Sequence, residues 1–290
     1  MRDSAIRHLA ACGDSPLIAA AVFDSTVQIW SLNNAQQIGE FETTLNFGGK
    51  RLVLAADGDV CITGSWAAGF AAYSVPTGTV LWHRSDLAEI QRLTVDASGR
   101  NVYCGFENRP LAIVDVLTGA VTGTIKGALR VVSRRSGSDR LVIERSRYRV
   151  EGDHNLQICP TSFAVLDAVL SPEAVCISEP RTGIRCIELR SGVTLWHHPG
   201  LESNYLAFAT SDYEFYCVAL SDAPPHNASL IRLAPNLLDC DLVVPLGTCW
   251  EATFAQSGNV LVTMRGSVYE TSSGRLLTEL RFPQRDYLDL

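Results

Sequence analysis

Histidine and cysteine are the residue types best suited to chemistry in this 290-residue chain, and neither forms a recognisable site. The sequence has six histidines and nine cysteines. His197 and His198 are adjacent, but neighbouring residues of a strand point to opposite faces. A protein zinc site needs three or four ligands, and no other histidine or carboxylate stands at a useful spacing from this pair. We therefore expect no metal site and no cofactor.

Short motifs of common catalytic and phosphate-binding sites are absent from the sequence. It has no Gly-x-Ser-x-Gly elbow, no His-Glu-x-x-His, no Gly-rich phosphate loop and no Cys-x-x-Cys. A non-catalytic protein is favoured. Such a search misses catalytic residues that come from distant parts of the chain and meet only in the folded protein, for example around the central channel of a ring of repeats. An enzyme or small-ligand binder with a site at the mouth of such a channel is therefore an alternative hypothesis.

Composition limits the class of protein further. At 47% hydrophobic and 19% charged residues, the chain has enough apolar material for a packed core. Apolar runs such as Leu17 to Phe23 fall far short of the ~20 residues of a membrane-spanning helix, and Asp3 and Asp14 argue against a secretory signal. We expect a cytoplasmic protein without a membrane partner. The net charge of -7 makes nucleic acid an unlikely partner.

The cysteines and basic residues indicate the setting. An odd number of cysteines, scattered singly through a chain this long, predicts reduced thiols. All basic residues except Lys50 and Lys126 are arginine, a bias that hints at a bacterial source.

A turn flanked by short β-branched runs recurs along the whole chain. Leu93 to Val95, a turn ending at Gly99 and Val102 to Cys104 form one copy, and the pattern returns around Gly258. The corresponding turn positions are Gly13, Gly58, Gly99, Gly137, Pro172, Asp212 and Gly258. Their mean spacing is about 41 residues, which lies in the range of propeller blades.

A second turn runs at the same period but out of phase with the first. Its positions are Asn34-Ala35, Thr77-Gly78, Thr118-Gly119, Gly152, Ser191-Gly192, Asn236 and Ser273-Gly274. Two hairpin turns per period require four strands per unit. The sequence therefore predicts an all-β fold, a seven-bladed β-propeller of four-stranded antiparallel blades with almost no helix; a pair of β-sandwiches is the structural alternative.

The whole chain, residues 1–290, is expected to form one propeller domain with blades in simple chain order. The expected blades are residues 5–47, 48–88, 89–127, 128–161, 162–201, 202–246 and 247–283. Residues 284–290 are expected to be a C-terminal tail.

These repeats resemble the WD-repeat and quinoprotein-like β-propellers. At the position of the WD-repeat Trp-Asp pair the chain has Trp30-Ser31, Tyr73-Ser74, Val114-Asp115, Ile187-Glu188 and Tyr269-Glu270, which are degenerate copies. The segment from Thr77-Gly78 to Trp82 is similar to quinoprotein propellers. The resemblance implies a shape more than a function.

Charge is unevenly distributed along the chain. The blade expected over 128–161 has a net charge of +3, against -10 for the rest. In propellers of this type, loops between the second and third strands share a face with the loops that join blades. Those loops carry five arginines, at 109, 145, 147, 181 and 265, and five acids, at 24, 107, 144, 179 and 222. We expect a mixed face, with a docking patch for an acidic partner at the third to fifth blades, or else an ordinary solvated surface.

The leading hypothesis is a non-catalytic module that binds a protein partner on this loop face. A bacterial cytoplasmic immunity protein that blocks a cognate toxin is one alternative, and the channel-mouth enzyme or ligand binder is another. Tryptophan and arginine are enriched at binding hot spots. The expected partner-binding residues are Trp66, Arg109, Arg145, Arg147 and Arg181. Trp66 could instead be the buried end of its strand, because tryptophan is highly buried on average.

Overall fold

A computed structural model describes most of the chain. The described residues are 3–4, 6–22, 25–43, 52–65, 68–134, 138–145, 147–159, 164–220, 227–235 and 240–285. Within them the regular structure is strand, apart from two short 3-10 turns, Ala56–Gly58 and Ser85–Leu87.

The strands are numbered in chain order. The first fifteen are β1 (Asp3–Ser4), β2 (Ile6–Ala11), β3 (Leu17–Val22), β4 (Thr26–Ser31), β5 (Gln36–Glu42), β6 (Leu52–Ala55), β7 (Val60–Ser65), β8 (Gly69–Ser74), β9 (Val80–Arg84), β10 (Ile90–Val95), β11 (Asn101–Phe106), β12 (Leu111–Asp115), β13 (Val121–Ile125), β14 (Ala128–Ser133) and β15 (Arg140–Glu144). The others are β16 (Tyr148–Glu151), β17 (Leu156–Ile158), β18 (Asp167–Leu170), β19 (Ala174–Glu179), β20 (Gly183–Glu188), β21 (Thr194–His198), β22 (Ser203–Ala209), β23 (Glu214–Leu220), β24 (Asn227–Leu233), β25 (Asp241–Thr248), β26 (Ala252–Ala255), β27 (Val260–Thr263), β28 (Ser267–Glu270), β29 (Leu276–Glu279) and β30 (Gln284–Arg285).

Seven four-stranded antiparallel sheets are arranged as a seven-bladed β-propeller. Each sheet uses four consecutive strands in chain order, so blade one is β2–β5 and blade seven is β26–β29. The predicted fold class and the simple chain order of the blades are confirmed. None of the helical turns in the described segments has the length and apolar character needed to cross a bilayer.

Burial within each blade follows the position of the strand. The second strands are covered on both faces by neighbouring blades, so β7 and β19 are buried along their whole length. The fourth strands lie at the rim, and β5 and β29 are mostly exposed. The continuous apolar runs therefore mark the inner strands, whereas the fourth strands mix polar residues with exposed apolar ones such as Val80 and Leu276.

The hydrophobic core lies between adjacent blades. Separate clusters join blades one and two, two and three, three and four, four and five, and five and six. The largest cluster joins blades six, seven and one, and there Trp30 meets Phe282 edge to face with ring centroids 5.4 Å apart. Apolar packing between the last blade and the first therefore closes the ring.

Glycine is required where the third strands begin. Gly69, Gly183 and Gly266 occupy this position in blades two, five and seven, and all three have positive φ. A Cβ atom at these residues would lie 2.0, 2.1 and 1.9 Å, respectively, from a backbone oxygen near the end of the fourth strand of the same blade. No side chain fits at that distance, so the close approach of the two strands depends on glycine.

Two expected boundaries differ from the structure. β25 continues to Thr248, two residues past the expected end of blade six. Gln284–Arg285, expected to belong to a free tail, pair with Asp3–Ser4 as a two-stranded antiparallel sheet. This pairing joins distant parts of the chain, and a two-residue strand leaves no periodic pattern in the sequence.

Candidate interaction face and channel mouth

One face of the propeller gathers two kinds of connection. In an antiparallel blade the chain leaves the second and fourth strands at the same end, so the loops between second and third strands lie beside those that join blades. We call this side the loop face. Arg109, Arg145, Arg147 and Arg181 all lie there and are exposed, in blades three, four, four and five. Trp66 lies outside the described residues.

Arg109 is held flat against its own blade. Its guanidinium carbon lies 3.9 Å from the centre of the Phe106 ring. Nη1 donates to the carbonyl of Asp86 at 3.3 Å, and Nη2 donates to that of Ala88. Stacking on an aromatic ring leaves the positive charge of an arginine accessible from the other side.

Arg145 and Arg147 flank the same turn of blade four but have different partners. Arg145 Nη2 donates to the carbonyl of Glu107 in blade three at 3.1 Å. Arg147 Nε donates to the Glu144 carboxylate at 2.5 Å, and Arg149 donates to its other oxygen at 3.0 Å. Burial of Glu144 opposes its charge, but these two hydrogen bonds outweigh burial and lower the pKa of Glu144. Glu144 therefore neutralises charge inside the blade.

The loop face is more basic than the sequence indicates, because two of its expected acids are buried. Glu144 is buried, and Glu179 is 0% exposed. Glu179 forms an ion pair with Arg185 at 2.7 Å and accepts a hydrogen bond from Tyr148 at 3.0 Å. Burial, the charge of Glu179 and this hydrogen bond raise the pKa of Tyr148.

The remaining expected acids divide between described and undescribed residues. Glu107 is exposed. Asp24 and Asp222 lie outside the described part of the chain. Among the described residues of these loops, exposed arginines therefore outnumber exposed acids.

Trp250 is an exposed aromatic residue on the loop face that the sequence reasoning missed. It lies in the connection between blades six and seven and is 51% exposed. Its carbonyl lies 3.0 Å from the Tyr205 hydroxyl, whose one hydrogen it shares with Glu251 Oε2 at 2.7 Å. In the sequence, Trp250 stands between Cys249 and Glu251 and outside any apolar run, and this position is the feature that indicates an exposed side chain.

Polar side chains surround the channel where it opens on the loop face. Each directly precedes a buried apolar residue in or next to the first strand of its blade. The described members of this mouth ring are His8, Arg92, Arg130, Asp167, Tyr205 and Glu251, and the residues that follow them are Leu9, Leu93, Val131, Ala168, Leu206 and Ala252. Arg51 precedes Leu52 at the equivalent sequence position and lies outside the described residues.

Asp167 connects blades four, five and six. Its Oδ1 lies 2.6 Å from Arg130 Nη2, and its Oδ2 accepts the Leu206 backbone N–H at 2.8 Å. Both side chains of the ion pair are 14% exposed. The carboxylate therefore has a partner from each neighbouring blade.

Glu251 plays the same part between blades six, seven and one. Its Oε2 accepts the Tyr205 hydroxyl at 2.7 Å, and its Oε1 accepts the Leu9 backbone N–H at 3.2 Å. Burial, the negative charge of Glu251 and the hydrogen bond to it raise the pKa of Tyr205 well above its ordinary value. His8 Nδ1 lies 3.8 Å from Glu251 Oε1, too far for a hydrogen bond.

The channel itself is a modest cavity. About 450 Å³ is enclosed by residues from the first strands of all seven blades, and a further 250 Å³ lies at the mouth beside five of the mouth-ring residues. Among the described residues, no group of three or more histidines, cysteines and acids is placed to hold a metal ion. The polar groups here join blades and set the charge of the mouth.

Comparison with solved structures agrees with the fold. The chain is similar to the structure of U3-55K, a WD-repeat protein, with a TM-score of 0.63 and 15% identity, over 90% of this chain and 88% of that one. No family model matches the sequence, and no curated protein matches it either. At this identity, the similarity establishes a shared propeller fold and does not extend to function.

Proposed function

We propose that this protein is a non-catalytic interaction module that binds a protein partner with an acidic patch on its loop face. The observation that carries the proposal is the coexistence, on that one face, of a half-exposed tryptophan with four exposed arginines of blades three to five.

Trp250 has the properties of an interface anchor. The other described tryptophans are buried or half-buried, and Trp30 is only 5% exposed. Trp250, in contrast, leaves half of its surface in solvent. Its backbone carbonyl is within hydrogen-bond distance of the Tyr205 hydroxyl, so the indole is presented from an anchored position of the chain. Truncation of such an anchor typically costs about 2 kcal/mol or more of binding free energy, or roughly 30-fold in Kd.

The arginines supply charge complementarity. Arg109 and Arg181 lie on loops of different blades, and both are exposed. The chain as a whole carries -7, so a local basic region orients an approaching acidic surface toward these blades. Salt screens such exposed charges, and the association rate should fall as ionic strength rises.

Paired variants on opposite faces test the proposal. Trp250→Ala should weaken partner binding at least about 30-fold while the protein stays folded. The matched control is Tyr213→Ala, which removes an aromatic side chain, 72% exposed, from the turn between β22 and β23 on the opposite face. Equal affinities of the two variants for the captured partner would exclude the loop face.

A charge-matched pair tests the electrostatic part. Arg109→Ala combined with Arg181→Ala should slow association. Arg190→Ala combined with Arg275→Ala removes the same charge from exposed turns between third and fourth strands, on the opposite face. Association rates measured by surface plasmon resonance at low and high salt should separate the two pairs, and equal slowing would exclude a basic docking region at blades three to five.

A further inference from the structure

A pocket of about 600 Å³ opens on the loop face between blades three, four and five. Its lining includes Arg92, Arg130 and Arg145, and its apolar wall includes Phe106, Ile143 and Val165. This volume and this mixture of apolar wall and few polar groups are typical of small-molecule sites. The pocket is separate from Trp250, which lies between blades six and seven.

The positive charges of this pocket are incompletely neutralised. Three arginines and one acid, Glu107, line this pocket, while Asp167, which pairs with Arg130, is not part of its lining. Both oxygens of Asp167 are already engaged, by Arg130 and by the Leu206 N–H. Arg92 and Arg130 line the same pocket, and burial together with the charge of Arg130 lowers the pKa of Arg92 to about 10.

Arg130, which lines this pocket, also has donors without a partner. Its Nη2 binds Asp167, but Nε and Nη1 are buried and hydrogen bond to no group in the described part of the chain. Arg92 Nη1 has a single long hydrogen bond, 3.3 Å, to the carbonyl of Leu166. Buried donors without partners are rare in native proteins and cost stability. An anion in the pocket would offset the mutual repulsion of these guanidinium groups.

We propose that this pocket binds a small organic oxyanion, a carboxylate or phosphate monoester whose charged group lies against Arg92, Arg130 and Arg145 and whose apolar part packs on the partly exposed Leu129 and Val165. The guanidinium fork suits both carboxylate and phosphate. The proposal does not depend on the protein partner, because its site and its test are those of the isolated propeller.

Inorganic phosphate, benzoate and phenyl phosphate are the probes, each titrated by calorimetry against chloride at matched ionic strength. Phosphate should bind saturably at one site and raise the melting temperature. Phenyl phosphate should bind about 10-fold more tightly than phosphate, because its ring buries apolar area against the wall. Binding that is non-saturable, or no tighter with the phenyl group, would overturn the proposal.

Variants locate the site. Arg92→Met removes a partly buried charge that Arg130 repels, so this variant should fold. Arg145→Met changes an exposed side chain. Each substitution should weaken the binding of phenyl phosphate at least 10-fold. Arg190→Met removes the same charge from the opposite face and should leave the affinity unchanged. If all three variants bind phenyl phosphate equally, the anion binds elsewhere and the assignment is wrong.

Discussion

Replacing Asp167 by alanine should destabilise the propeller far more than an ordinary loss of a surface ion pair. Asp167 is the acceptor both for Arg130 at 2.6 Å and for the Leu206 N–H at 2.8 Å. Its removal leaves a mostly buried guanidinium beside Arg92 with no carboxylate partner. Blades four, five and six then lose a shared contact, and the repulsion between Arg92 of blade three and Arg130 of blade four is no longer offset.

The magnitude follows from the burial of the pair. Removing one member of a fully buried ion pair costs about 3–5 kcal/mol. Both side chains here are 14% exposed and open to the channel, which favours the lower end, about 3 kcal/mol. A domain of ordinary stability, about 5–15 kcal/mol, stays folded after that loss.

Urea unfolding measured by far-ultraviolet circular dichroism is the assay, with a constant slope as the check on a two-state transition. Asp241→Ala is the matched control, since its partner Arg232 and Asp241 itself are 43% and 56% exposed. That exposed pair should contribute less than about 1 kcal/mol. Arg130→Met, alone and with Asp167→Ala, completes a double-mutant cycle with an expected coupling energy of about 2 kcal/mol.

The reasoning is refuted if Asp167→Ala and Asp241→Ala lower stability equally. A coupling energy near zero between Arg130 and Asp167 would have the same meaning, because the ion pair would then add nothing to the contacts between blades.

Three further predictions concern the strands and the thiols. Gly183→Ala should cost about 2 kcal/mol more than Gly200→Ala in urea unfolding, because both residues have positive φ but only a Cβ at Gly183 meets a backbone oxygen, at 2.1 Å; equal costs would contradict the close-approach argument. Stability should fall as pH rises above about 9, because burial raises the pKa of Cys104 far above its ordinary value while the unfolded thiol ionises near 9.0. The urea midpoint at pH 7.5 and at pH 9.5 measures this change. A midpoint that does not fall between the two pH values would contradict the prediction. Cys159 is exposed and should be the first of the nine free thiols to react with iodoacetamide, whereas Cys104 should react only on unfolding. Peptide mass spectrometry would show the order of labelling. Early labelling of Cys104 would mean that the blades open readily.

The architecture could be predicted from the sequence because it is periodic. Two turns at one period of about 41 residues specify four strands per blade and seven blades, and each turn is a local feature. The pairing of Asp3–Ser4 with Gln284–Arg285 could not be predicted, because two residues carry no period and their partners are far apart in the chain.

The candidate site was only partly predictable. Exposure of Arg109 and Arg181 followed from their place in the loops. The burial of Glu179 did not, because its partners Arg185 and Tyr148 come from the next strand and from the neighbouring blade. Charge counted along a sequence therefore overestimates the acidity of the loop face.

The mouth ring does have a sequence signal. In each described blade one polar residue, from His8 to Glu251, directly precedes a buried apolar residue of the innermost strand. A linear motif search passes over it because its members are about 40 residues apart. What they contact depends on ring geometry, so the ion pair of Arg130 and Asp167 emerges only from the structure.

Hydrogen–deuterium exchange of the complex with its protein partner tests the central claim most directly. If the loop face is the interaction surface, binding should protect backbone amides in the segments 106–109, 145–147 and 249–251. Amides of the opposite-face turns 190–192 and 210–213 should exchange as in the free protein. Protection confined to those turns or to the outer strands, with the loop face unchanged, would contradict the account.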